Sequence, residues 1–155
     1  MNEDKKYEGL GGWLTVWLVL AGITVIRMIS HVEVHLLSGD TWGAVTTPGT
    51  DQYNLLWKPI LIYEFILQFL NPLAWVGLIF LCVGKNHLFP KIVIVFYIVS
   101  FFLVLLDTVG AYYVSVEANL DYRPSLKEVG RGIVGLCVWT PYFLRSKRVK
   151  ATFVK

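Results

Sequence analysis

Four ionisable side chains interrupt long apolar runs in this chain: Arg27, Glu64, Asp107 and Arg131. A charge at the centre of a membrane-spanning helix costs about 2.5–3.5 kcal/mol on insertion scales, so each needs a partner, water or a ligand. Counted at ~1.5 Å per residue from the ends of their runs, all four fall in the same third of the membrane thickness. They are two acids and two bases, and their charges sum to zero. Two chemistries fit. Pairs such as Asp107 with Arg131 and Glu64 with Arg27 neutralise one another and set helix register. Alternatively, the four line a ligand or proton site. Two carboxylates can also act as acid and base. No nucleophile, metal set or oxyanion donor accompanies them, so the sequence points to a non-enzymatic protein without a cofactor.

Helical spacing gathers further polar groups around these charges. Glu64, Gln68 and Asn71 follow at i, i+4, i+7, while Ser100 shares a face with Asp107. Thr24, Arg27 and His31 share another face, as do Glu128, Arg131 and Gly135. Polar stripes in a bilayer turn toward each other or toward water. The expected result is a polar cluster in the outer part of a bundle, with Gln68, Asn71 and Ser100 as lining.

Other motifs carry less. His31 and His35 have helical metal-ligand spacing with Glu33 between them, which defines an outward-facing metal site if further ligands join. The alternative is a solvated interfacial segment. Gly130-Arg131-Gly132-Ile133-Val134-Gly135 matches a dinucleotide fingerprint, but no strand precedes it, so close helix packing is the expectation. Cys82 and Cys137 lie in apolar runs and form neither a disulfide framework nor a metal motif.

The elements that position these groups are four helices. Of the 155 residues, 55% are hydrophobic and 16% charged, against about a quarter charged in soluble domains. The apolar residues form blocks of the ~20 residues that span ~30 Å of hydrocarbon. They predict helices over 10–30, 59–83, 90–114 and 126–144 in a single domain, 1–155. The first block is too long for a signal-peptide core and reads as an uncleaved span. Trp13 and Trp17 read as interfacial aromatics. Pro59 suits a first turn, Pro72 falls mid-helix, and Ser125 with Glu128 has capping-box spacing. Residues 31–58 form the one long connection, long enough to hold a hairpin or cover the bundle mouth. A basic tail occupies 145–155.

Lys and Arg placement sets the orientation. Lys5, Lys6, Lys85, Lys91, Arg145, Lys147, Arg148, Lys150 and Lys155 lie on one side, against Lys58, Arg123 and Lys127 on the other. The positive-inside rule places both termini in the cytoplasm and the long loop outside. The net charge of +3 gathers at span ends, a pattern of membrane orientation rather than nucleic-acid binding.

Four stretches together resemble a known family: Gly11-Gly12-Trp13-Leu14; Thr47-Pro48-Gly49 through Trp57-Lys58-Pro59 to Glu64; Leu88-Phe89-Pro90; and Trp139-Thr140-Pro141-Tyr142-Phe143 running into Ser146-Lys147-Arg148-Val149-Lys150-Ala151-Thr152-Phe153. Their order is similar to that of the bacterial inner-membrane family called domain of unknown function 2569, over nearly the whole chain. The resemblance implies a small four-helix bacterial membrane protein and carries over no activity.

The expected fold is an all-α integral membrane protein, a four-transmembrane-helix antiparallel bundle with both ends in the cytoplasm. The leading functional expectation is interaction with a protein or lipid partner through the loop and tail. A small transporter or proton-linked permease component, working as a homo-oligomer, is the first alternative; the metal site is the second.

Overall fold

The computed structural model describes residues 9–30, 39–51, 53–117 and 126–153. Six helices follow in order: α1 (Trp13–Ser30), α2 (Gly39–Thr46), α3 (Trp57–Val83), α4 (Phe89–Glu117), α5 (Leu126–Arg145) and α6 (Lys147–Thr152). No strand occurs among the described residues.

The helices α1, α3 and α4 are each long and apolar enough to cross a membrane. Their outward faces carry large bare hydrophobes, among them Ile26, Leu73, Phe80, Phe102 and Leu106. An apolar surface of that extent is a surface for lipid rather than water. The fourth long helix, α5, has the length but opens with Lys127, Glu128 and Arg131, and it falls short of the same apolar standard.

The long helices run alternately up and down. One hydrophobic core collects the start of α1 (Leu14, Trp17), the end of α3 (Leu78, Cys82), the start of α4 (Phe89, Val93) and the end of α5 (Phe143). We call this end of the bundle the basal pole. Within the core, Trp17 meets Phe89 edge-on at 5.2 Å and Phe143 at 5.8 Å between ring centroids. Edge-to-face pairs of this kind add ~0.5–1.5 kcal/mol beyond their buried area. The expectation for Trp17 as an interfacial aromatic is corrected: it is 1% exposed, whereas Trp13 is 63% exposed. Trp17 belongs to the inward stripe Leu14, Trp17, Ala21, Val25, all buried.

The chain ends tie onto this pole. Ser146 Oγ caps α6 by accepting from the Val149 N–H at 3.4 Å. The helix then turns Val149 into the core, and Phe153 follows just beyond its end. Phe153 lies 4.9 Å from Phe89 between ring centroids. The tail expected as a basic surface segment is therefore also a wedge that closes the bundle. Thr152 meets Gly9 from the opposite end of the chain: the Gly9 N–H donates to Thr152 Oγ1 at 3.2 Å, and that hydroxyl donates to the Gly9 carbonyl at 3.3 Å.

Helix limits differ from expectation by a turn or less. α1 begins at Trp13 because Gly12 takes φ +60 and its carbonyl accepts the first helical bonds, from Thr15 and Val16. A positive φ of this kind is cheap only for glycine. α3 starts at Trp57, so Pro59 still lies in its first turn, where the missing N–H costs nothing. Pro72 sits within an otherwise unbroken α3. Between α3 and α4, Lys85 adopts φ 51 and Asn86 Oδ1 accepts from the Leu88 N–H at 2.9 Å, turning the chain in a few residues. In the long connection, α2 stands where a hairpin or simple cover was open, and it contacts α3. The expected cap at Ser125 lies outside the described residues.

Candidate functional site

Packing between the helices is uneven. α1 lies against α3, α3 against α4, and α4 most extensively against α5. Between α1 and α5 the contacts gather at the basal pole, where Trp13 meets Trp139 at 6.4 Å and Trp17 meets Phe143. Away from that pole the two helices leave a seam, and behind it lies a cavity of about 910 Å³. Ligand sites typically occupy ~300–1,000 Å³.

The cavity has a floor, a wall and a mouth. Trp17, Trp75, Tyr97 and Trp139 form an aromatic floor. Trp17 Nε1 donates to the Tyr97 hydroxyl at 3.0 Å, joining α1 to α4 at the boundary between core and cavity. Ser100, Phe101 and Asn71 stand in the wall. Asn71 Oδ1 is buried and has no hydrogen-bond partner. An orphaned buried acceptor costs roughly 1–3 kcal/mol. Thr24, Arg27, Glu128 and Arg131 line the side toward the open pole.

The glycines of the 130–135 motif explain how α5 lies against α4. A Cβ on Gly132 would come 2.9 Å from Phe101 Cδ2, and one on Gly135 would come 3.2 Å from Tyr97 Cε1. Close packing is thus the role of these two positions. A Cβ on Gly130 would meet nothing within 4 Å, although Gly130 lines the cavity.

The four charges of the sequence reading separate into two groups. Arg27 and Arg131 reach the cavity with Asn71 and Ser100; Glu64, Gln68 and Asp107 are not among its lining residues. The lining climbs α3 only as far as Asn71 and α4 only as far as Val104, and those three residues lie farther toward the open pole. Glu64 and Asp107 instead lie on the packed helices α3 and α4, each within about one turn of the point where Tyr63 meets Leu103. Tyr63 itself donates to the Leu103 carbonyl at 3.0 Å, binding the two helices there.

The expected pairs Asp107–Arg131 and Glu64–Arg27 do not form. Arg131 instead bonds Glu128 on its own helix at 2.5 Å, with both side chains more than half exposed. The physical reason is proximity: a partner three residues away on one helix costs less to reach than one on another helix. His31, Glu33 and His35 lie outside the described residues.

Three of the four stretches that carried the family resemblance meet at the basal pole, while the stretch from Thr47 to Glu64 leads into the start of α3 at the other end of the bundle. Gly11 and Gly12 lie under the Arg148 side chain, and Trp13, Phe89, Phe143, Val149 and Phe153 meet in or around the basal core. A Cβ on Gly11 would stand 2.8 Å from Arg148 Nη1. A model of the family described as protein of unknown function (DUF2569) matches residues 7–154. The chain belongs to the DUF2569 family. No curated protein and no solved structure matches it. In this DUF2569 chain, then, the opening Gly11–Leu14, the Leu88–Pro90 turn and the segment from Trp139 to Phe153 come together at the closed pole, and Trp139 also lines the cavity.

The sequence reading missed the aromatic floor. Trp75, Tyr97 and Trp139 belong to three different helices, and no spacing along the chain links them. The signal present was on α1 alone, where Leu14, Trp17, Ala21 and Val25 repeat at the period of one helix face.

Proposed function

We propose that this chain is a multi-pass protein of the bacterial inner membrane that crosses it four times, with both termini in the cytoplasm. In this reading α5 is the fourth span. Its polar opening turn is tolerable because Glu128 and Arg131 neutralise each other and sit beside the cavity rather than in lipid. The basal pole, with its cluster of Lys and Arg, faces the cytoplasm. The protein acts by binding rather than by catalysis, and its ligand is a lipid-like molecule taken into the bundle. The observation that carries this reading is the seam-fronted cavity of about 910 Å³ with an aromatic floor and polar groups on its open-pole side.

Two measurements test it. Fluorescent-protein and alkaline-phosphatase fusions after Lys155 report the side of the C-terminus. Fluorescence without phosphatase activity fits an even number of spans with the N-terminus inside; the reverse leaves three. Native mass spectrometry of protein purified in mild detergent tests the ligand. A retained amphiphile at one per chain is expected, and bare protein that no added lipid stabilises would sink the binding reading.

A second reading has an observation of its own. Glu64 and Asp107 are carboxylates on two packed apolar helices, each within about one turn of the Tyr63–Leu103 bond and without a basic partner among the described residues. Such pairs suit proton relays. A proton-linked permease component built on them would need more helices than one chain supplies. It therefore predicts a homo-oligomer, and a monomer at every concentration in mild detergent would count against it.

A further inference from the structure

The inference here rests on the binding reading above and names the chemistry of the ligand. We infer that the cavity takes an anionic lipid, its acidic head group between Arg27 and Arg131 and its chain leaving through the seam between α1 and α5.

Charge is the first argument. Arg27 and Arg131 stand on the two helices that border the seam, and both line the cavity. Among the described residues no carboxylate reaches Arg27, and Glu128 engages Arg131 through Nη1. A guanidinium has five donors in a planar fork, so one carboxylate contact leaves Arg131 able to bind more. Counting Glu128 against the arginines leaves one net positive charge at this side of the cavity. Glu64 and Asp107 lie outside the lining.

Depth is the second. Arg27 lies three residues before the end of α1 at Ser30, and Arg131 five residues after the start of α5 at Leu126. At ~1.5 Å per residue both sit roughly one turn inside their helix ends. Lipid acid groups lie near that level in a leaflet, with the hydrocarbon chain pointing deeper. The lining changes in the same direction, from the arginines through Val134 and Leu20 to Trp17 and Trp75.

The seam is the third. A soluble anion would need only the open end, whereas a lipid needs a side exit for its chain. Gly130 lines the cavity on the α5 side of the seam, and a side chain there would meet open space. The chemistry assigned is therefore a phosphate-bearing or carboxylate-bearing head joined to a hydrocarbon chain, recognised by two arginine forks.

The test is thermal unfolding of the full chain in a neutral detergent, titrated with lyso-phosphatidylglycerol, lyso-phosphatidylcholine or inorganic phosphate. Lyso-phosphatidylglycerol should stabilise saturably, with a midpoint at least roughly tenfold lower than the zwitterionic lipid. Arg27→Gln and Arg131→Gln should each weaken that midpoint roughly tenfold or more. The double variant Lys147→Gln/Lys150→Gln, which removes exposed tail charges, should leave it unchanged. Native mass spectrometry of the unaltered protein with equal amounts of both lyso-lipids gives a readout that needs no variant, and one anionic lipid per chain is expected. Equal response to the two lipids, full binding by the arginine variants, or loss in the tail variant would each overturn the anionic assignment while leaving a lipid cavity standing. Saturation by inorganic phosphate alone would overturn the lipid source. No stabilisation by either lyso-lipid, with nothing co-purifying, would remove the binding reading itself.

Discussion

Trp17 gives its indole N–H to the Tyr97 hydroxyl at 3.0 Å, across the line that separates the packed basal core from the cavity. Trp17 is 1% exposed, so that N–H has no access to water if the hydroxyl is lost. Tyr97→Phe should therefore cost about 1–3 kcal/mol, the penalty of an orphaned buried donor. Trp17→Ala should cost more, about 3–5 kcal/mol, because it also empties the centre of the aromatic cluster. Thermal unfolding in detergent checks both. A Tyr97→Phe protein as stable as the parent would mean that this bond does not hold α1 against α4.

The two ends of the chain hold each other through Gly9 and Thr152, and Phe153 follows into the core at 6% exposure. Phe153→Ala should cost about 3 kcal/mol, near the lower end for a buried aromatic. Thr152→Val keeps the shape and loses the two bonds to Gly9, for about 1 kcal/mol. Lys150→Ala, on an exposed position of the same short helix, should stay within about 0.5 kcal/mol of the parent. A loss in Phe153→Ala no larger than in Lys150→Ala would show that the wedge is a passive neighbour of the bundle.

Three glycines of one motif should answer differently to alanine. At Gly132 a methyl would stand 2.9 Å from the Phe101 ring, so crowding of about 1–3 kcal/mol is expected. At Gly135 the Tyr97 ring is 3.2 Å away, and a smaller loss should follow. At Gly130 the space is open, and the better helix propensity of alanine should leave stability unchanged or raise it by up to about 1 kcal/mol. The order of the three melting temperatures is the measurement. A loss at Gly130 as large as at Gly132 would contradict the packing of α5 on α4.

Much of this architecture was legible because hydrophobic block length and glycine spacing are local properties. The runs behind α1, α3 and α4 announce themselves, and the Gly132–Gly135 spacing announces a close helix contact. What was not legible depends on rotation and register between helices. Glu64 and Arg27 occupy similar depths, yet depth does not say whether two side chains face the same space. The lining ends at Asn71 on α3, two turns short of Glu64, and so the acids and the bases part company. The tail was legible as basic but not as a wedge. Val149 and Phe153 are spaced one helical turn apart, and the charges around them mask that apolar pair in any average over the segment.

The separation of acids from bases has a consequence for stability. Arg131 bonds Glu128 three residues away and not Asp107, so a double-mutant cycle on Asp107→Asn and Arg131→Gln should show no coupling beyond about 0.5 kcal/mol. The cycle on Glu128→Gln and Arg131→Gln should return about 0.2–1 kcal/mol, small because both side chains are more than half exposed. Glu64 and Asp107 are carboxylates on packed helices that face hydrocarbon. Replacing either by its amide removes an ionisable group that has no basic partner among the described residues, so Glu64→Gln and Asp107→Asn should each hold or raise the melting temperature. Rescue of Asp107→Asn by Arg131→Gln would restore the cross-helix pair. A large loss in Glu64→Gln alone would require a cation or a donor at that carboxylate, supplied from outside the described residues.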